Sequence, residues 1–166
     1  GKVAIKEGFD VKVSEVNGMS QRGGSVVTYV KYGDKVYSPI IDRGEADIIL
    51  AFEILEAYRA LPYLKKGGKM IANTQQMNPM PVITGAMEYP QDIEKKLSEK
   101  INLQAVDALA AAREAGNFKA VNVVLIGLLA KSTDVKKEVW LETIKETVPE
   151  KFLEVNLKAF ELGYNM

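Results

Sequence analysis

A three-layer α/β domain with a mostly parallel sheet, a hairpin and a helical C-terminal part is the fold this 166-residue sequence predicts. Three observations carry that expectation. An almost unbroken apolar run over 47–52 is of the kind found in strands covered on both faces, which suggests a central, parallel strand. A second run over 69–73 follows after one helix-length segment and a glycine pair, completing a strand–helix–strand unit whose crossover is expected to be right-handed. The segment 120–131 is apolar on nearly every side, as a buried helix is.

In chain order, residues 1–7 read as the end of a helix stopped by Gly8, and Phe9, Val11 and Val13 then alternate with polar residues as in a strand. A glycine-rich loop occupies 17–24. The β-branched and aromatic stretch 25–32 is a strand, expected to turn at Gly33-Asp34 into 35–38 as a short hairpin. After the run at 47–52 a helix should start near Glu53, with Leu55, Tyr58 and Leu61 on one side and Pro62 and Gly67-Gly68 close to its end. The prolines make 74–81 a loop, 82–84 reads as a short strand, and 90–100 as an amphipathic helix. Residues 101–105 are either a last strand or the start of the alanine-rich helix that ends near Gly116. Two more helices fit 135–147 and 150–162, with Pro149 between them. No repeat, low-complexity tract or linker interrupts the chain, so 1–166 reads as one domain, long enough to bury roughly two-thirds of its unfolded surface.

Composition limits the chemistry. Twenty-two basic and 22 acidic residues cancel, with a pI near 6.6, which gives no electrostatic footprint for nucleic acid or an anionic membrane. No apolar run reaches the ~20 residues of a spanning helix, and 1–10 lacks the apolar core of a signal peptide, so a cytoplasmic location is expected. With no Cys there is no thiolate for an iron–sulfur cluster or for nucleophilic attack, and with no His the usual general base and commonest metal ligand are missing. A Ser-His-Asp triad and the usual zinc sites are excluded; no metal site and no catalytic residue are assigned. The dinucleotide fingerprint G-x-G-x-x-G after a strand does not occur.

Two loops stand out. In Gly18-Met19-Ser20-Gln21-Arg22-Gly23-Gly24 the glycines let backbone amides converge on an anion, and Arg22 adds forked donors for carboxylate or phosphate. The same glycines also suit a wide turn with positive φ. The second loop carries Thr74, Gln75, Met77 and Met80 after a strand that should end at the ligand-binding edge of the sheet. It reads as a pocket lining, a partner surface or an ordinary proline-stiffened connection. Glu53 and Glu56 complement the dipole at a helix start, Tyr58 and Tyr63 read as core or interface aromatics, and Trp140 as a helix anchor.

The segment Glu15-Val16-Asn17-Gly18-Met19-Ser20-Gln21-Arg22-Gly23-Gly24-Ser25-Val26 resembles the β subunits of indolepyruvate:ferredoxin oxidoreductases, within the family that includes the γ domain of the pyruvate:ferredoxin oxidoreductases. The resemblance continues in order through Tyr37-Ser38-Pro39, Gly44-Glu45-Ala46-Asp47, Leu61-Pro62-Tyr63-Leu64, Gly67-Gly68 and Asn73-Thr74. It closes with Asn122-Val123-Val124-Leu125-Ile126-Gly127 and Asn156-Leu157-Lys158-Ala159-Phe160-Glu161-Leu162-Gly163, and so covers essentially the whole chain. Two departures accompany it: the family's opening strand and glycine-rich turn are absent ahead of 1–7, and Asn17 stands where many relatives are expected to carry His.

What the resemblance implies is a small, Rossmann-like subunit that packs over the active site of a larger one. In such enzymes a 2-oxo acid is decarboxylated on thiamine diphosphate, the acyl group passes to coenzyme A, and electrons leave through iron–sulfur clusters to ferredoxin. Thiamine diphosphate and the clusters are implied for a large α subunit, no cofactor for this chain alone, and coenzyme A as a possible contact of the small subunit. The γ component of a pyruvate or 2-oxoglutarate enzyme, or a non-catalytic assembly module of the same fold, are the other readings. An obligate partner requires apolar area, so the lone domain should expose a large apolar patch or form a homodimer.

Overall fold

The computed structural model describes residues 1–18 and 25–166. Its core begins with β3, Ala46–Ala51, which runs straight into α2, Ile54–Ala60. After a 3-10 turn at Leu61–Tyr63 the chain enters β4, Leu64–Asn73, and later β5, Asn102–Val106. These three strands form one all-parallel sheet in the order β3-β4-β5. The central strand among those described is therefore β4, not the run at 47–52.

Successive side chains of β4 point to opposite faces, and the two cores follow from that alternation. Met70 and Ala72 pack with Ile54, Leu55 and Ala57 of α2, with Tyr89, and with Ile93 and Leu97 of α4, Ile93–Ser98. Ile71 faces the other layer, made of α5, Ala108–Ala115, α6, Val121–Lys131, and α8, Leu153–Tyr164. The three expected layers are thus helix, sheet, helix. On the second layer lies α7, Lys137–Thr147, which brings the partly buried Trp140 onto the helical core.

Two glycines let α6 and α8 cross backbone to backbone. A Cβ at Gly127 of α6 would lie 2.3 Å from the Phe160 carbonyl oxygen, and one at Gly163 of α8 would lie 1.9 Å from that of Val124. Only residues without a side chain let the two helix backbones approach this far.

Outside this core stands a second, two-stranded sheet. Helix α1, Lys2–Lys6, ends at Gly8 (φ +86°) and leads into β1, Asp10–Asn17, which pairs antiparallel with β2, Val26–Gly33. The hairpin therefore lies between 10–17 and 26–33, and residues 35–38 form no strand. An eight-residue partner upstream outcompetes a four-residue one downstream, and 35–38 serves as a tether instead: Val36 is buried and its N–H donates to Asp10 Oδ2 (2.9 Å).

Two further expectations change, and one open alternative is resolved. Gly67 and Gly68 do not end the helix but lie inside β4, where Gly67 takes φ +80° and a Cβ on Gly68 would stand 2.9 Å from the Asp47 carbonyl oxygen. They accommodate the register shift between Ala46 and Ile48, as glycines at strand irregularities do. Residues 82–84 are not a strand: α3, Met80–Ile83, begins directly after Pro79 and carries Pro81 in its first turn. The ambiguous stretch at 101–105 is strand β5, and the alanine-rich helix starts beyond it at the N-cap Asp107 and ends at Gly116 (φ +110°).

Candidate functional site at the strand ends

Ligands of open parallel sheets gather outside the carboxyl ends of the strands, where β3, β4 and β5 here deliver Phe52-Glu53, Asn73-Thr74 and Val106-Asp107. Asn73 is fully buried and ties all three together. Its side-chain amide donates to the Phe52 carbonyl (3.2 Å) and to Gln75 Oε1 (3.3 Å), while its Oδ1 accepts from the Ala108 N–H (3.1 Å). The Thr74 N–H donates to the Val106 carbonyl (2.9 Å) and the Ile54 N–H to the Gln75 carbonyl (3.2 Å). The loop beyond β4 is thus hydrogen-bonded at its root to both neighbours.

Glu53 holds the same loop farther out. Only 6% exposed, it caps α2 by accepting from the Glu56 N–H at Oε2 (2.9 Å), and its Oε1 accepts from the Met77 N–H (3.0 Å) and the Tyr89 hydroxyl (2.5 Å). Burial, and then the hydrogen bond to Glu53, push the Tyr89 hydroxyl well above its ordinary range, so it is a fixed donor at any ordinary pH. A dipole-complementing role for Glu53 is therefore only part of its work. Glu56 is left as an exposed partner of Arg59.

This scaffold presents an apolar rim. Met77 and Met80 are 59% and 67% exposed, and Phe52, Ile83 and Met87 are also exposed, beside the half-buried Thr74 and Gln75. Thr74, Gln75, Met77 and Met80 are thus brought to one edge of the sheet. Of the first candidate loop, Gly18 follows β1, and Ser20, Gln21, Arg22, Gly23 and Gly24 lie outside the described residues. Tyr89 and Asn73 were not anticipated; an Asn closing an apolar strand was the available signal for the second.

Among the described residues no group of three His, Cys, Asp or Glu side chains is placed to hold a metal ion, and no helix is long and apolar enough to cross a membrane. A concavity of about 440 Å³ opens at the opposite end of the strands, between 65–68 and 98–102. It is lined by solvated lysines, Gly67-Gly68 and the adjoining turn, with no buried polar group aimed into it.

The pyruvate ferredoxin/flavodoxin oxidoreductase family matches the sequence over residues 1–166. Indolepyruvate oxidoreductase subunit IorB of Pyrococcus horikoshii is 44% identical, over 98% of this chain and 84% of that protein. The pyruvate/ketoisovalerate oxidoreductases common subunit gamma of Thermococcus kodakarensis is 30% identical, over 98% and 83% respectively. In fold, the chain is similar to the gamma subunit of a keto/oxoacid ferredoxin oxidoreductase from Geobacter sulfurreducens, with a TM-score of 0.69 at 23% identity over 99% of this chain and 84% of the other. It is also similar to 27% of the chain of a 2-oxoglutarate:ferredoxin oxidoreductase from Magnetococcus marinus, with a TM-score of 0.65 at 16% identity over 99% of this chain; that structure is described with 2-oxoglutarate, coenzyme A and succinyl-CoA bound.

Proposed function

The chain belongs to the pyruvate ferredoxin/flavodoxin oxidoreductase family, and from that membership we propose that it is the small subunit of an indolepyruvate-type enzyme. That enzyme converts an aryl 2-oxo acid and coenzyme A to acyl-CoA and carbon dioxide, passing two electrons to ferredoxin. The observation that carries the reading is the gradient of identity across nearly the whole chain, 44% to a subunit named for indolepyruvate against 30% to a gamma subunit named for pyruvate and ketoisovalerate.

The donor set divides the labour. An iron–sulfur cluster needs thiolates and this chain has no Cys, so the residues present do not fit a cluster, and no electron-transfer step runs through them. Decarboxylation and electron transfer belong to a large partner subunit carrying thiamine diphosphate and the clusters. Residues 1–166 act as one domain docked on that partner. Coenzyme A is the group this chain is equipped to touch: Arg22, in its glycine-rich segment, supplies forked donors for phosphate, and the exposed Met77 and Met80 supply adaptable apolar contact for a long flexible arm.

Production of the chain alone and together with its large subunit tests the reading. The small subunit alone should be colourless and form no acyl-CoA, and the complex should be brown and active. Acyl-CoA formation by the small subunit alone, or no association with the large one, would overturn it. A preference of the complex for pyruvate or 2-oxoglutarate would move the chain to the γ components. Within the complex, Arg22→Ala should change stability by less than about 1 kcal/mol, yet weaken coenzyme A use or association roughly ten- to a hundredfold, the value of one charge-assisted hydrogen bond.

A further inference from the structure

Among the described residues the hairpin of β1 and β2 has no third strand and forms a sheet separate from that of the core. Among the described elements only α1 packs substantially against it, on β1, with Gly1 seated so close that a Cβ there would stand 3.4 Å from Val13 Cγ2. A two-stranded ribbon alone is marginal in water. This one also places Lys12 directly opposite Lys31, a like-charge pair that opposes pairing. Lys12 is neutralised by Asp10 (2.8 Å), and Lys31 reaches the Ile40 carbonyl (3.1 Å).

The register sorts the side chains onto two faces. Val11, Val13, Val26, Val30 and Tyr32 share one with Glu15, Asn17 and Thr28. On it Val13 is 56% exposed, Val26 55%, Val30 39% and Tyr32 51%. The other face carries Lys12 and Lys31 and exposes Val16 and Val27 as well, and the tether beyond β2 leaves Tyr37 89% and Ile40 56% exposed.

Area decides between occupants. The first face offers on the order of 400 Å² of apolar surface, the size of patch that monomers keep for a purpose. A second copy seated on it would bury about 800 Å² in total, short of the roughly 1,200 Å² at which specific, stable interfaces begin. Both faces together with Tyr37 and Ile40 offer on the order of 800 Å² from this chain alone, which is one partner's share of a standard interface. Only a partner that encloses the ribbon covers all of it.

We propose that the β1–β2 ribbon is an arm that inserts into a cleft of the large catalytic subunit. One wall of that cleft is apolar, against Val13, Val26, Val30 and Tyr32, and the other meets Val16 and Val27 and carries a carboxylate toward Lys31. This rests on the reading of the chain as a small subunit and adds which surface makes the complex.

The double variant Val13→Thr/Val30→Thr keeps β-branching on both strands, so the ribbon should survive while its apolar face is spoiled. Co-produced with the large subunit, it should associate at least tenfold more weakly than the wild type, with the same melting temperature for the isolated chain. Phe118→Ser, in a turn that packs on α5, α6 and α8, should associate normally. A photo-crosslinker replacing Tyr32 should attach to the large subunit, which keeps the test decisive should the double variant unfold. Normal association of a folded double variant, or crosslinks only to a second copy of this chain, would refute the arm. Failure of the wild type itself to associate would refute the subunit reading beneath it.

Discussion

The α6–α8 seam and the β1–β2 arm are both built from apolar residues, yet they end in opposite environments. Val124, Leu125, Leu128, Ala159 and Phe160 at the seam are sealed from water, whereas Val13, Val16, Val26, Val27 and Val30 of the arm stay about half exposed. Glycines explain the first: at Gly127 and Gly163 two helices meet backbone to backbone, and the side chains between them find their cover inside the chain. The arm has no such cover. Apolarity in a sequence therefore states that a surface will be buried without stating by what, and the two regions show the two answers.

Breaking the seam should produce the largest effect. Gly163→Ala places a methyl group where the Val124 carbonyl already stands, so the helices must part and the core around Phe160 must loosen. Overpacking of this kind costs about 3 kcal/mol or more, because the obstacle is backbone and cannot rotate away. Chemical denaturation of the isolated chain measures it. A loss under about 1 kcal/mol would mean that α8 can slide, and that the seam is no better fixed than the arm.

Between these extremes lies the Glu53 clasp, where buried polar atoms rather than methyl groups hold a loop. Glu53→Ala strands the Met77 N–H and the Tyr89 hydroxyl and removes the α2 cap, for a loss of about 2–3 kcal/mol. The Met77 amide should lose its hydrogen-exchange protection along with it. Glu53→Gln keeps one acceptor oxygen and should lose less. Equal losses in the two variants would show that packing and one neutral acceptor do not hold the loop and that the full carboxylate is needed.

What was legible in the sequence follows the same division. Segments whose pattern needs no distant partner were placed correctly: the apolar run of α6, the helices on either side of Pro149, and the strand and helix that meet at Glu53. Features set by a distant partner were not. Val26–Gly33 had to choose between two neighbours, and its eight-residue register with β1 becomes decisive only in three dimensions. Gly67 and Gly68 look like a stop signal because glycine is a poor strand former, and their place in β4 reflects a crowded crossing with Asp47. Pro79 and Pro81 turn Val82-Ile83 into a helix despite their β-branching. The strand-end rule put Thr74 to Met80 at the sheet edge, where the structure has them, but the Glu53–Tyr89 pair spans 36 positions, and no local pattern announces it.

The smallest effect expected is at the root of the arm, and it depends on pH. Asp10 accepts from Lys12 Nζ and from the Val36 N–H, and these two bonds, that to Lys12 first, hold its carboxyl below the usual carboxylate range. A depressed folded-state value means that the ionised form stabilises the fold. That contribution is complete above the unfolded carboxylate's pKa, near 4, and drains away as acid carries the pH down through the lowered folded value. The Lys12 side chain of the pair is 43% exposed, so salt screens it and the effect stays slight. Asp10→Asn keeps the acceptor for Val36 but removes the charge. Melting of wild type and variant should therefore differ slightly at neutral pH and converge as the pH falls below about 4. Exchange at the Val36 amide should accelerate over the same window, while Trp140 fluorescence, which reports on the helical layer, should not follow it. If the Trp140 signal tracks Val36 instead, arm and seam open together as one unit, and the ribbon is part of the core's own cooperativity rather than an appendage waiting for a partner.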